Sequence, residues 1–175
     1  MDIQLFWWIN GWPHPALVKQ LSLCFEFLGN REVVAGLVAL WFLISLFLKD
    51  KKNRDQSVCF AGTFLLTAIA VLILKDFFNR TRPYLAMPNV YSFGKLSDGG
   101  SFPSGHAMAF GAWAVFVKFF KKRGQWAWFV LAFAGGISRI YQGMHFPSDV
   151  LAGWALGALF SGVIYLACHK RMNRV

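Results

Sequence analysis

The chain has 175 residues, of which 57% are hydrophobic and only 15% are charged. A soluble domain of this size could not bury so much apolar surface, which excludes that class and indicates an integral membrane protein. The formal net charge of +10 does not indicate nucleic-acid binding, because most of the basic residues occupy short connectors between apolar runs and are not interleaved with aromatic ones.

The first thirty residues predict helical structure whose depth in a bilayer the sequence leaves open. Residues 3–12 carry three tryptophans, which is typical of a helix lying at the membrane interface. Residues 14–29 contain Lys19 and Glu26 and fit either an amphipathic surface helix or a short span. We therefore predict a sixth, N-terminal helix that is interfacial or short-spanning.

Five apolar runs follow, each long enough to span or nearly span a bilayer. They lie at about 32–49, 56–79, 105–121, 124–142 and 149–168. The sequence thus predicts an all-α fold, a polytopic membrane helix bundle of five clear spans plus the N-terminal helix. We expect one membrane-embedded domain over residues 1–175.

The three cysteines are far apart and embedded in apolar sequence; they are Cys24, Cys59 and Cys168. We expect them to be small buried hydrophobic side chains. No C-x-x-C spacing occurs, so the sequence predicts no zinc site.

Basic residues give the predicted orientation in the membrane. Connectors 49–54 and 118–123 each contain four Lys or Arg residues, and the tail 170–174 contains three. If each apolar run crosses once, these segments share one side, which the positive-inside rule assigns to the cytoplasm. Residues 80–104 and 143–148 then lie on the outer side.

Three polar clusters fall on that outer side. They read KDFFNRTRP (75–83), PSGH (103–106) and SRIYQGMHFPSD (138–149). In the first, Lys75 and Arg82 are about two helical turns apart, so we expect them to share one helix face. In the second, Ser104 suits a helix N-cap and Gly105 lets the backbone approach a ligand, at a helix N-terminus that favours anions.

Together the clusters contain the groups that phosphoryl transfer requires. The third cluster adds Arg139, and the three cations can neutralise a phosphoryl group. Of His106 and His145, one can attack phosphorus and the other can protonate the leaving oxygen. Asp149 can orient one imidazole, cap the last helix, or do both. The residues alone favour His145 as nucleophile only because Asp149 lies four residues away.

The clusters resemble the complete three-part signature of the type-2 phosphatidic acid phosphatase superfamily. The matching positions are Lys75-x6-Arg82-Pro83, Pro103-Ser104-Gly105-His106 and Ser138-Arg139-x5-His145-x3-Asp149. The resemblance implies a metal-independent lipid phosphatase without cofactor, with His145 as the nucleophile that becomes phosphorylated, Asp149 as its partner and His106 as the general acid. It assigns phosphate binding to Lys75, Arg82, Ser104, Gly105 and Arg139.

The resemblance also implies a membrane-lipid substrate and a bacterial inner-membrane location, with the site facing the periplasm and the C-terminus in the cytoplasm. Lipid A 1-phosphate, undecaprenyl pyrophosphate, phosphatidylglycerol phosphate and phosphatidic acid are the candidate substrates. No nucleic acid or obligate protein partner is expected. The alternatives are phosphate transfer to a second lipid, the vanadium haloperoxidase chemistry of soluble relatives, and an anion or lipid transporter.

Three further segments give predictions of their own. The connector 84–102, rich in Tyr, Phe and Gly, either covers the site or is only a linker. Asp76 and Arg80 are predicted to pair with each other or to touch the substrate headgroup. The spacing GWALG at 153–157 predicts close helix packing, within the chain rather than between two copies.

Overall fold

The computed structural model describes residues 1–97, 99–120 and 125–172, and every regular element in those ranges is helical. In chain order the helices are α1 (Asp2–Asn10), α2 (Ala16–Leu28), α3 (Arg31–Phe47), α4 (Lys51–Phe78), α5 (Pro83–Ala86), α6 (Gly105–Phe120), α7 (Gln125–Tyr141) and α8 (Pro147–Met172). The predicted all-α class is confirmed.

Within these residues, two helical stretches are long and apolar enough to cross a membrane on their own. They are Lys51–Ala86, which contains α4 and α5, and Pro147–Cys168 in α8. Helices α2 and α3 qualify as a third only when taken together, and they meet at a 60° bend. Helices α6 and α7 have 16 and 17 residues, near the lower limit of about 17 for a span. The chain is an apolar helical membrane protein, and five full spans stay a prediction.

Glycines allow α6 and α8 to pack at very close range. A Cβ atom added to Gly157 would lie 2.1 Å from the carbonyl oxygen of Met108, and one added to Gly153 would lie 2.6 Å from that of Ser104. Real Cβ atoms do not approach so closely, so only glycine fits at these positions. The predicted packing of the GWALG segment within the chain is confirmed, and it places the N-terminal ends of α6 and α8 side by side.

Two hydrophobic clusters hold the bundle together. The first joins α1 to the site end of α6, α7 and α8, and its buried members are Phe6, Ile9, Ala107, Ile140, Tyr141, Phe146 and Val150. The second joins α3, α4 and α6, and its buried members are Val34, Val38, Cys59, Phe60 and Phe116. The first cluster therefore fixes α1 against the helix ends that carry the polar motifs.

The cysteine prediction is correct for the burial of Cys59 and otherwise wrong. Cys59 and Cys168 form a disulfide that links α4 to α8 across 109 residues of sequence. Cys24 is free and exposed. The pairing depends on α4 and α8 lying side by side, which the spacing of the cysteines in the sequence does not indicate.

Candidate active site

A cavity of about 520 Å³ opens at the end of the bundle where α4 ends and α6 begins. Six of the eight predicted site residues line it: Lys75, Arg82, Gly105, His106, Arg139 and His145. Ser104 and Asp149 are fully buried and lie outside its lining. The fold therefore brings residues of all three sequence motifs to one space.

The position of His145 is set by a backbone carbonyl. Its Nδ1 lies 2.7 Å from the carbonyl oxygen of Ser101 and 3.7 Å from Oδ2 of Asp149. Because a carbonyl can only accept, Nδ1 carries the hydrogen and Nε2 keeps the lone pair. Nε2 lies 3.3 Å from Nη1 of Arg82. Ser101 is a site residue that the sequence motifs did not indicate. Its carbonyl orients the imidazole of His145 more directly than Asp149 does.

The surroundings of His145 favour its neutral form. Burial, followed by the positive charges of Arg82, Arg139 and Lys75, holds the pKa of the His145 imidazole well below its ordinary value. The hydrogen bond to Ser101 acts in the opposite direction and has a smaller effect. A neutral imidazole has the unprotonated nitrogen that a nucleophile requires; in this structure that Nε2 accepts a hydrogen bond from Nη1 of Arg82 at 3.3 Å.

Asp149 both caps a helix and lies beside His145, as the sequence allowed. Its Oδ2 accepts the backbone N–H of Phe146 at 2.8 Å, and its own N–H donates to the Phe146 carbonyl at 3.0 Å. The first bond is one half of a capping box, in which the carboxylate at the third helical position accepts the N–H of the residue before the helix; the second is a backbone turn at the start of α8. The other carboxylate oxygen, Oδ1, lies 2.6 Å from Nη1 of Arg80. The predicted pair of Arg80 with Asp76 is wrong, because Arg80 turns to Asp149 instead.

Three consecutive carbonyls in segment 99–101 hold the polar side chains of the site. The carbonyl of Gly99 accepts from Nε of Arg82 at 2.8 Å. The carbonyl of Gly100 accepts from Nζ of Lys75 at 2.8 Å and from Nη2 of Arg82 at 3.2 Å. The carbonyl of Ser101 accepts from Nδ1 of His145 at 2.7 Å. This backbone contribution was missed, and the Gly-Gly pair before the second motif is its only signal in the sequence.

Lys75 and Arg82 meet, but not on one helix face. Helix α4 ends at Phe78, and Asn79 has a φ of 39° in the left-handed region, which turns the chain away from the helix axis. Arg82 therefore lies beyond the helix and reaches Lys75 through the carbonyl they share at Gly100. The prediction of a common helix face is wrong, although the two cations do come together.

Arg139 keeps a free donor beside the cavity. The residue is only 3% exposed, and its Nη1 contacts Oε1 of Gln142 and lies 3.7 Å from Oε2 of Glu26. Its Nε has no hydrogen-bond partner among the described residues. Because a buried donor without a partner is costly, this N–H suits an incoming anion such as a phosphoryl oxygen.

Glu26 of α2 is a further residue that sequence reasoning did not assign to the site. Its carbonyl oxygen lies 2.9 Å from Nε2 of His106, and its Oε1 accepts the backbone N–H of Lys95 at 2.9 Å. Lys95 and Gly99 of the connector 84–102 line the cavity. Of the two predicted alternatives for this connector, the one in which it covers the site is therefore correct.

Ser104 begins α6, as expected of an N-cap. Its Oγ lies 3.4 Å from the backbone nitrogen of Ala107, and its own N–H donates to the carbonyl oxygen of Asp149 at 3.0 Å. The second bond ties the start of α6 to the start of α8. The contact of Ser104 with phosphate stays a prediction.

The class of protein follows from this arrangement: a helical membrane protein whose polar cavity combines the predicted cations Lys75, Arg82 and Arg139 with two histidines. Residues 56–173 match the family model of the PAP2 superfamily. The chain belongs to this superfamily. The resemblance of the three motifs is thereby confirmed, and with it the prediction of a phosphatase.

Curated proteins and solved structures support this membership. The chain is 33% identical over 139 residues to the bacitracin transport permease protein BcrC of Bacillus licheniformis, covering 79% of this chain and 68% of that protein. It is 29% identical over 172 residues to a lipid A 1-phosphatase of Rhizobium etli, covering 88% and 74%. The crystal structure of Aquifex aeolicus LpxE has a TM-score of 0.75 and 27% identity, covering 93% of each chain.

Proposed function

We propose that this chain hydrolyses the phosphate or pyrophosphate of a membrane lipid at the outer face of a bacterial inner membrane, through a phosphohistidine intermediate. The observation that carries the proposal is the orientation of His145. Its Nδ1–H is held by the Ser101 carbonyl, and its Nε2 lone pair lies beside Arg82. A histidine that only stabilised the fold would not require its unprotonated nitrogen to lie in the cation cluster.

In the first step, Nε2 of His145 attacks phosphorus, and the bond from phosphorus to the leaving oxygen breaks. The imidazolium form of His106 donates its proton to that oxygen, while the carbonyl of Glu26 accepts its other N–H. The three cations neutralise the charge that develops on the equatorial phosphoryl oxygens. Asp149, 3.7 Å from Nδ1, stabilises the positive charge on the phosphorylated ring.

In the second step, water attacks the phosphorus of the phosphohistidine. Neutral His106 takes a proton from that water, and the bond between phosphorus and Nε2 breaks. Inorganic phosphate leaves in this step. Where the substrate is a lipid pyrophosphate, the lipid monophosphate has already left as the leaving group of the first step. Both histidines return to their starting protonation states, so the cycle consumes only water.

A lipid substrate suits the position of the cavity. The cavity lies at one end of an apolar bundle, so a phosphate at headgroup depth can enter it while the hydrocarbon chains stay in the bilayer. The relative named lipid A 1-phosphatase supports lipid A 1-phosphate as the first substrate to test. Undecaprenyl pyrophosphate, phosphatidylglycerol phosphate and phosphatidic acid are the other candidates. Three neighbouring cations would repel a divalent metal ion, so activity should survive a chelator.

The test is phosphate release from these four lipids by purified protein in detergent with chelator present. Wild type should release phosphate, and His145→Ala should release none above background. Lys51→Ala, an exposed residue at the start of α4, is the control and should match wild type. Brief reaction with a labelled substrate, followed by quenching in base, should leave label on the protein only when His145 is present. A folded wild type that releases no phosphate from any lipid contradicts the proposal.

Transport is a second candidate function, because one relative is named a transport permease. The buried carboxylate of Asp149 opposes it, since binding an anion gains nothing from a negative charge behind the histidine. Flux of a lipid or anion through reconstituted vesicles without phosphate release would favour transport. Appearance of a newly phosphorylated lipid in place of free phosphate would instead indicate transfer to a second lipid.

A further inference from the structure

Arg80 lies between two carboxylates that come from distant parts of the chain. Its Nη1 is 2.6 Å from Oδ1 of Asp149, and its Nη2 is 2.7 Å from Oδ2 of Asp2 in α1. Ser148 closes the network: its Oγ accepts from Arg80 at 2.7 Å, while its N–H and Oγ bond Asp2 at 2.9 and 2.6 Å. The start of α1 is therefore tied to the start of α8 both through the guanidinium of Arg80 and directly through Ser148.

This network fixes the carboxylate that faces the nucleophile. Asp149 has no exposed side-chain surface, whereas Arg80 and Asp2 are 32% and 30% exposed. Because Phe146 N–H holds one oxygen of Asp149 and Arg80 holds the other, the carboxylate cannot rotate away from His145. Arg80 also supplies the positive charge that a buried carboxylate requires. Its guanidinium lies 4.2 Å from the ring centre of Phe146, which further limits its movement.

Asp2 is suited to hold Arg80 in place. Burial alone would raise the pKa of the Asp2 carboxyl, but the hydrogen bonds from Ser148 and Arg80, together with the charge of Arg80, lower it overall. Asp2 is therefore ionised at neutral pH and pairs with the half of the guanidinium that Asp149 leaves free. The planar, forked shape of arginine allows this bridging, which a lysine ammonium could not reproduce.

We propose that Asp2 and Arg80 are positioning residues for the reaction, acting on His145 through Asp149. The proposal rests on the proposed function. Neither residue belongs to the described lining of the cavity, so neither is placed to touch the substrate. Asp2 also lies outside the residues 56–173 that match the superfamily, so the first helix of this chain takes part in the site.

We call the series of contacts Asp2–Arg80–Asp149–His145 the relay. It predicts a loss in kcat with little change in KM. Replacing a residue that orients a reacting group through one intermediary commonly costs about 10- to 100-fold. Arg80→Gln should therefore lower kcat by about that factor, and Arg80→Lys, which keeps the charge, should lose less. Asp2→Asn should lower kcat by a smaller factor of about three to ten. In the Arg80→Gln background, Asp2→Asn should cost less than it does in wild type, because its bond to Arg80 is already lost and only its bonds to Ser148 remain.

Asp76→Asn is the matched control. Asp76 is exposed on the last turn of α4. Asp76→Asn removes the same charge as Asp2→Asn, at a residue outside the network of Asp2, Arg80, Ser148 and Asp149. Its kcat should equal that of wild type. Wild-type kcat in both Asp2→Asn and Arg80→Gln would overturn the relay while leaving the lipid phosphatase in place. Additive losses in the double variant would also overturn it.

A second measurement reads the relay without any substrate. The chain has four histidines, so protein labelled with ¹⁵N-histidine gives few imidazole signals, and the His145→Asn variant identifies those of His145. Arg80→Lys and Asp2→Asn should shift the His145 signals, and Asp76→Asn should not. Unchanged His145 signals in the first two variants overturn the relay. Absence of phosphate release by wild type contradicts only the proposed function, since this readout still decides the relay.

Discussion

Gly100→Ala is expected to disturb the site, because it adds a methyl group to the segment whose carbonyls hold Lys75, Arg82 and His145. A Cβ atom on Gly100 would lie 3.0 Å from the carbonyl oxygen of Lys75 and 3.7 Å from the backbone nitrogen of Arg80. Ordinary contacts of a Cβ begin at 3.4 Å, so segment 99–101 must retreat by about 0.4 Å in a closely packed surrounding. The carbonyls of that segment are the groups that hold Lys75, Arg82 and His145.

The size of the effect follows from that displacement. A misplacement of about 1 Å at a catalytic group costs about 100-fold in rate, so about 0.4 Å should lower kcat by about five- to tenfold. Crowding of this kind destabilises a protein by about 1–3 kcal/mol. We expect the midpoint of thermal unfolding to fall modestly, with the larger effect on kcat.

Gly99→Ala is the natural comparison for this experiment. No described atom lies within 4 Å of a Cβ built on Gly99, and neither glycine has a positive φ. Steady-state phosphate release and thermal unfolding of both variants in the same detergent provide the assay. Gly99→Ala should match wild type. Equal kcat for wild type and Gly100→Ala, or an equal loss in both variants, would refute the reasoning that segment 99–101 fixes the catalytic side chains.

Three other results are expected. The acidic limb of the pH profile of kcat/KM should lie below about pH 6.5, the ordinary histidine value, because burial and nearby cations lower the pKa of His145. Arg82→Gln should move that limb to higher pH, and an unmoved limb would contradict this electrostatic effect. Glu26→Gln should strengthen inhibition by inorganic phosphate, because the variant removes a negative charge 3.7 Å from the guanidinium of Arg139, which is proposed to bind the anion. Weaker inhibition would contradict that role of Arg139. Gly157→Ala should lower the midpoint of thermal unfolding, since its Cβ would lie 2.1 Å from a carbonyl oxygen. Gly162→Ala is the control: its Cβ would meet no described atom within 4 Å. This variant should leave the midpoint unchanged or raise it.

Side-chain chemistry was readable from the sequence, whereas backbone chemistry was not. Lysine and arginine are common at the ends of apolar runs, but the spacing of the three cations together with His106 and His145 was enough to group them. The carbonyl of Ser101, which orients the nucleophile candidate, leaves no trace in residue type because every residue has one. Segment 99–101 could be recognised only after the fold brought it against Lys75 and Arg82.

The partner of Arg80 could not be predicted from the sequence for a different reason. Local spacing favoured a pair with Asp76, since both lie in the KDFFNRTRP motif. The left-handed turn at Asn79 ends α4 and directs Arg80 toward α1 and α8 instead. A buried carboxylate at Asp149 attracts a cation more strongly than an exposed one at Asp76, because water screens the exposed charge. Long-range pairing of this kind depends on burial, which the sequence does not reveal.

The two N-terminal helices connect to different members of the proposed catalytic pair, His145 and His106. Asp2 of α1 reaches His145 through Arg80 and Asp149. Glu26 of α2 reaches His106 directly, through its own carbonyl oxygen. Because nucleophile and acid must lie on opposite sides of the same phosphorus atom, their separation is as important as their individual positions. A movement of α1 relative to α2 would change that separation, so the proposed chemistry requires that α1 stays packed against α7 and α8 and that α2 stays packed against α7.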